Sequence, residues 1–280
     1  MSEVTAVQSR YSPWLRTAPF LLLAAAYLPV LYDLVTEWYQ DANYSHGFLV
    51  PVVSGYLLWK NRHRLGSTGT SPAAGGLVLL VAGLLLLLVG TGAAEYFTVR
   101  VSFILSLFGL VYCLYGREVI RKSWFAFFFL LFMVPIPYVL YYAVAFPMQT
   151  LATKITVVLL KVVGLGVVRQ GNIIHLAGNS LEVADACSGI RSLVSLLALG
   201  ALYAYLTQRR LAAKAIVFVS TVPIAVAANV FRVFVTALLV SAISIEVTAE
   251  PLHSLLGLSV FVFSFICLFV AGAVVRRVFK

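Results

Sequence analysis

Hydrophobic and polar positions alternate along the chain in long blocks: apolar runs, many near or above the ~18–20 residues that cross a bilayer, separated by short polar stretches. The runs predict membrane-spanning helices over about 16–35, 47–59, 74–93, 100–116, 123–142, 188–207, 214–240 and 254–275. The second is short. No sequence repeat of roughly 20–50 residues runs through them.

The polar stretch between the fifth and sixth runs, 143–186, is the longest and has its own pattern. Over 148–163, Thr150, Lys154 and Lys161 share one face at helical spacing, opposite an apolar face. That predicts a small amphipathic helix lying in the membrane interface, with a ninth, poorly spanning segment as the alternative. "NIIHLAGNSLEVAD" follows. Its "AGNS" is a turn signal between two short β-prone runs, and Leu181 and Val183 alternate with Ser180 and Glu182. A small β-hairpin capping the helices before the sixth span is expected. Gly75 and Gly76 suit close helix packing.

Composition changes the setting of these helices. The chain is 62% hydrophobic and 11% charged. Soluble domains are about 45–50% apolar and about 25% charged. The excess calls for lipid rather than a larger core. The expectation is one all-α integral membrane domain over 1–280. The first run lacks a small-residue cleavage site, so it reads as a retained helix. The net charge of +10 would suit nucleic acid. Here, however, the basic residues fall between apolar runs: Lys60, Arg62 and Arg64; Arg117, Arg121 and Lys122; Arg209, Arg210 and Lys214; Arg276, Arg277 and Lys280. Eight crossings with both termini inside place all four clusters in the cytoplasm, the positive-inside pattern. The expected partner is the lipid bilayer and no nucleic acid. Stretches 36–46, 94–99, 143–186 and 241–252 then lie outside.

Three residues stand out chemically. Cys113 and Cys267 sit in apolar runs as packed residues, and no CxxC pair occurs. Cys187, in "VADACSGIRSL", falls at the outer start of the sixth span. Asp185 or Ser188 would cap that helix, and the helix dipole and Arg191 would favour a thiolate. An inert packed cysteine fits this stretch alone equally well. Arg232 lies inside the seventh span in "ANVFRVFV", about two turns below its outer end, with Asn229 on the same face. A guanidinium in hydrocarbon marks a site rather than an orientation signal. His253, in "AEPLHSLLG", follows Pro251 at the outer mouth of the eighth span, with Gly257 one turn on. A thiol, a base titrating near neutrality and a fixed cation thus come from three consecutive helices.

The ordered set "ACSGIRSL", "NVFR" and "HSLLG" resembles the nucleophile, N-x-x-R and H-x-x-x-G motifs of the exosortase/archaeosortase family. "YSHGFLVP" is similar to that family's amino-terminal signature and "VPIPY" to its central helix, so the resemblance covers about 27–275. It implies a membrane-embedded cysteine protease/transpeptidase of the inner membrane, working on its extracytoplasmic face. Its partners would be membrane proteins ending in a tripartite tail: a short motif (Pro-Glu-Pro in bacteria), one transmembrane helix and a basic cluster. Cys187 would attack the scissile carbonyl to give a thioester, His253 would exchange protons, and Arg232 would stabilise the oxyanion or bind a carboxylate. Asn229, Arg191, Ser188 and His46 would support the site or bind substrate. The residues carry no signal for the acceptor nucleophile. No cofactor and no metal site are expected: His46, His175 and His253 have no metal-binding spacing. The competing readings are a transporter or channel for an anionic solute, which has no need of a thiol at Cys187, and a polytopic acyl- or glycan-transferase.

Overall fold

The computed structural model describes residues 13–66, 73–176, 178–183, 190–243 and 252–279. Packing divides the chain into two compact units, Met1–Ile136 and Pro137–Lys280.

The first unit contains α1 (Pro13–Ala26), α2 (Leu28–Gln40), α3 (Leu49–Lys60), α4 (Ala74–Gly92), α5 (Tyr96–Tyr115) and α6 (Arg117–Leu130). The first apolar run is bent by 62° between α1 and α2, where Pro29 cannot donate to the α1 ladder. The second run makes a helix of only 12 residues, short for a crossing. The closest packing is between α4 and α5. Gly76, Gly83 and Gly90, seven residues apart, form a buried stripe on α4. A Cβ on Gly76 would collide with the backbone of Cys113, and one on Gly109 of α5 with the backbone of Leu80. Small residues let two membrane helices approach where no hydrophobic drive between them exists. Tyr27 fills the junction of α1 with this pair, its hydroxyl 3.0 Å from Ser102 Oγ and 2.9 Å from Ser106 Oγ.

The expected span 123–142 is not one helix. After α6 and a 3-10 turn over Leu131–Met133, Val134 is extended (ψ 120°) and a new helix begins at Tyr138. Pro135 and Pro137 cause the break: each lacks an N–H and disfavours helical geometry in the residue before it.

The second unit contains α7 (Tyr138–Val162), β1 (Val168–Gln170), β2 (Ile173–Leu176), β3 (Asn179–Glu182), α8 (Ile190–Thr207), α9 (Leu211–Ala242) and α10 (Leu252–Val278). The interface helix expected over 148–163 is the carboxy-terminal part of α7, whose 25 residues are long and apolar enough to cross a membrane. Ala145, Gln149, Ala152, Thr156 and Leu160 are buried, while Lys154 and Lys161 are exposed. The strands form an antiparallel meander in the order β1-β2-β3, with Ile174 opposite Leu181 and His175 opposite Ser180. One face of the sheet carries Ile174, Leu176 and Leu181 into a cluster with Val157 and Leu160 of α7 and Val233, Ala237 and Val240 of α9. The other face holds His175, between Ser180 Oγ (2.8 Å) and Gln170 Oε1 (3.2 Å).

Among the described residues five helices are long and apolar enough to cross a membrane: α4, α5, α7, α9 and Leu255–Val278 of α10. Counting the bent α1–α2 pair makes six, fewer than the eight spans expected from the apolar runs. The difference lies in α3, in the broken fifth run and in α8, whose apolar part Arg191–Thr207 is also short. The many exposed leucines, valines and aromatics on these helices match a lipid-facing surface.

Candidate active site

Three helices of the second unit bring their ends together. α8 and α9 are joined by three residues and run back to back, and α10 returns along α9, packing on both. The start of α8, the end of α9 and the start of α10 therefore share one end of the bundle. Gln208 marks the other end: its Nε2 donates to Gly272 O at 3.1 Å, which brings the basic clusters at 209–214 and 276–277 together. In the first unit Lys122 Nζ donates to Arg64 O at 3.3 Å, joining the two remaining clusters in the same way.

Arg232 projects from α9, ten residues before its end at Ala242, or about 15 Å along the axis. It is half-buried. Asn229, one turn earlier, is 2% exposed, and its Nδ2 meets no hydrogen-bond acceptor among the described residues. A buried amide donor left unmet costs about 1–3 kcal/mol, so the position is unfavourable for folding alone. Arg191 is exposed in the first turn of α8. His253 belongs to the first turn of α10, and its side chain lies outside the described residues, as do Cys187, Ser188 and Asp185 in 184–189.

The flanks of these positions are well defined. Val183, four residues before Cys187, is buried in one cluster with Val233, the neighbour of Arg232, and with Leu256, three residues after His253. The sheet thus delivers the chain leading to Cys187 to the level of α9 that carries Arg232. Three stretches far apart in sequence arrive at one packed cluster.

A family model described as Transmembrane exosortase (Exosortase_EpsH) matches residues 38–270. The chain belongs to the transmembrane exosortase family. Exosortases are cysteine-type membrane transpeptidases that act on substrates carrying a sorting tag. The matched stretch contains Cys187, Arg232 and His253. Comparison with curated proteins found no match, and comparison with solved structures found none either.

His46 has a different setting from Arg232. It belongs to the first unit, in a 3-10 helix over Ala42–Phe48. Its Nε2 lies 3.2 Å from Phe132 O, Trp38 Nε1 donates to Met133 O at 2.8 Å, and Tyr44 hydroxyl donates to Ile136 O at 3.4 Å. The proline break frees these carbonyls, and the "YSHGF" stretch with Trp38 supplies their donors. Burial holds the His46 pKa below its ordinary value, opposed by its backbone hydrogen bonds. The neutral ring with the proton on Nε2 suits this cap.

Two further polar groups gave little sign in the sequence. Arg100 of α5 is 7% exposed and pairs with Glu37 of α2 at 2.5 Å. Gln149 of α7 is 5% exposed, and its Oε1 accepts from Asn172 Nδ2 at 2.9 Å. The signal available for each was a polar residue on an otherwise apolar helical face.

Proposed function

We propose that this exosortase cleaves the carboxy-terminal sorting tail of exported membrane proteins through a thioester on Cys187, at the extracytoplasmic face of the cytoplasmic membrane. The observation that carries the reading is the shared cluster of Val183, Val233 and Leu256, which supports bringing the flanks of Cys187, Arg232 and His253 together. The meeting of the basic clusters within each unit supports the face, since such clusters stay in the cytoplasm.

The chemistry follows from the three residue types. His253 takes the thiol proton, and the Cys187 thiolate attacks the scissile carbonyl carbon. Arg232 meets the oxyanion, with Asn229 Nδ2, which has no acceptor among the described residues, as a second donor. The S–C bond is kept as the peptide C–N bond breaks, and His253 passes its proton to the leaving amine. An acceptor nucleophile then takes the acyl group and frees Cys187. The tail expected to fit has a Pro-Glu-Pro-like motif just outside the membrane, one apolar helix and a basic end.

Co-expression with a tail-bearing substrate tests this. Cys187→Ala should leave the substrate uncleaved at wild-type enzyme levels. Arg232→Lys, which keeps the charge but not the planar fork, should lose about 10²-fold in turnover, the scale of one oxyanion donor. Wild-type cleavage by Cys187→Ala would remove the thioester mechanism. Wild-type cleavage by Arg232→Leu would reduce the site to Cys187 and His253.

A further inference from the structure

The geometry points to Gln149 as a positioning residue for the nucleophile segment, acting through Asn172 from the middle of α7. This rests on the reading of Cys187 as the nucleophile. Gln149 is almost wholly buried, and its Oε1 accepts from Asn172 Nδ2 at 2.9 Å. The neighbouring Thr150 hydroxyl donates to Asn172 Oδ1 at 3.3 Å. Both ends of the Asn172 amide are therefore held by consecutive residues of one helix.

Asn172 occupies the two-residue turn between β1 and β2. Gly171 takes the first central position at φ 60°, where a side chain would be strained. The carbonyl of Asn172 accepts from Val183 N at 3.0 Å. Val183 directly follows β3, four residues before Cys187. A side chain on α7 thus fixes a turn, and the turn fixes the backbone at the point where the chain leaves for the nucleophile.

The same stretch of α7 grips the other flank. Ala145 and Tyr141 pack with Val194, and Met148 lies in one cluster with Leu193 and Leu196. These residues of α8 follow Cys187 by six to nine positions. Residues 145–150 accordingly hold the chain before and after 184–189. A leucine would fill the site of Gln149 without needing hydrogen-bond partners. The amide adds direction, since its bonds fix an angle as well as a distance. Misplacing a reacting group by ~1 Å is enough to cost about 10²-fold in rate.

The test uses the full-length enzyme in detergent or nanodiscs, with Cys113→Ser and Cys267→Ser so that Cys187 is the sole thiol. Two readouts are taken: the kcat and KM of tail cleavage, and the pH profile of Cys187 alkylation by iodoacetamide without substrate. Gln149→Leu should lower kcat about tenfold or more with KM changed less than about threefold, and should shift the alkylation profile. Gln149→Glu keeps an oxygen acceptor and should recover most of kcat. Thr150→Val, a milder change on the same amide, should give a smaller loss of the same kind. Gln149→Leu with Asn172→Ala should cost no more than the larger single loss, because the two act as one unit. Wild-type kcat and an unmoved alkylation profile in a folded Gln149→Leu enzyme would overturn the proposal. So would a loss in Gln149→Leu that Gln149→Glu fails to rescue. Cleavage surviving Cys187→Ala is the separate result that would sink the nucleophile reading itself.

Discussion

Asn229 carries a buried amide hydrogen that no acceptor among the described residues meets. Removing a donor in that state relieves a desolvation penalty of about 1–3 kcal/mol. Asn229→Leu, with the same heavy-atom branching, should therefore raise the thermal unfolding midpoint in detergent while lowering cleavage by about 10²-fold, the loss typical of one oxyanion donor. A lower midpoint with unchanged cleavage would make Asn229 a packing residue. This opposition of stability and turnover separates a site residue from a core residue, whose loss lowers stability and leaves turnover per folded enzyme unchanged. At this scale the sheltered setting of Arg232 and Asn229 on α9 was legible in the sequence, because a polar group inside an apolar run is turned away from lipid. Gln149 was not. It sits one position from Thr150 on a helix whose visible charges, Lys154 and Lys161, face outward. Its partner Asn172 is 23 residues away, a pairing that only the sheet creates.

Among elements, the contact between α2 and α5 holds a charge pair with little water. Arg100 is buried and Glu37 partly so, at 2.5 Å. Breaking such a pair from one side leaves the other charge uncompensated, at a cost of about 3–5 kcal/mol when both are buried. The partial exposure of Glu37 reduces that figure. Arg100→Met should lower the midpoint of thermal aggregation, and adding Glu37→Gln should restore most of it. A double variant no more stable than Arg100→Met would show that the arginine acts through packing alone. Element existence was largely legible, since apolar runs of membrane length mark helices. Boundaries failed where proline chemistry intervened. The stretch "VPIP" reads as apolar, so hydropathy carried one span across it, yet its two prolines end α6 and start α7. The amphipathic pattern over 148–163 was seen, but the helix bearing it begins ten residues earlier.

For the whole molecule, charged and packed features are ordered along the helices within each unit. The basic clusters meet at one end of each, and the flanks of Cys187, Arg232 and His253 gather at the opposite end of the second. The order of motifs along the chain made that gathering legible as a possibility. The packed sheet that presents Val183 to α9 needed contacts between residues 50 or more apart, which no local pattern reports. The capped proline break in the first unit has an optical consequence. Of the four tryptophans, Trp14, Trp59 and Trp124 are 75%, 58% and 46% exposed, and Trp38 is 6% exposed with its indole N–H bound to Met133 O. Collisional quenchers in water or in brominated acyl chains reach the first three and spare the fourth. The emission that survives quenching is then the light of Trp38, a built-in lamp for the integrity of that junction.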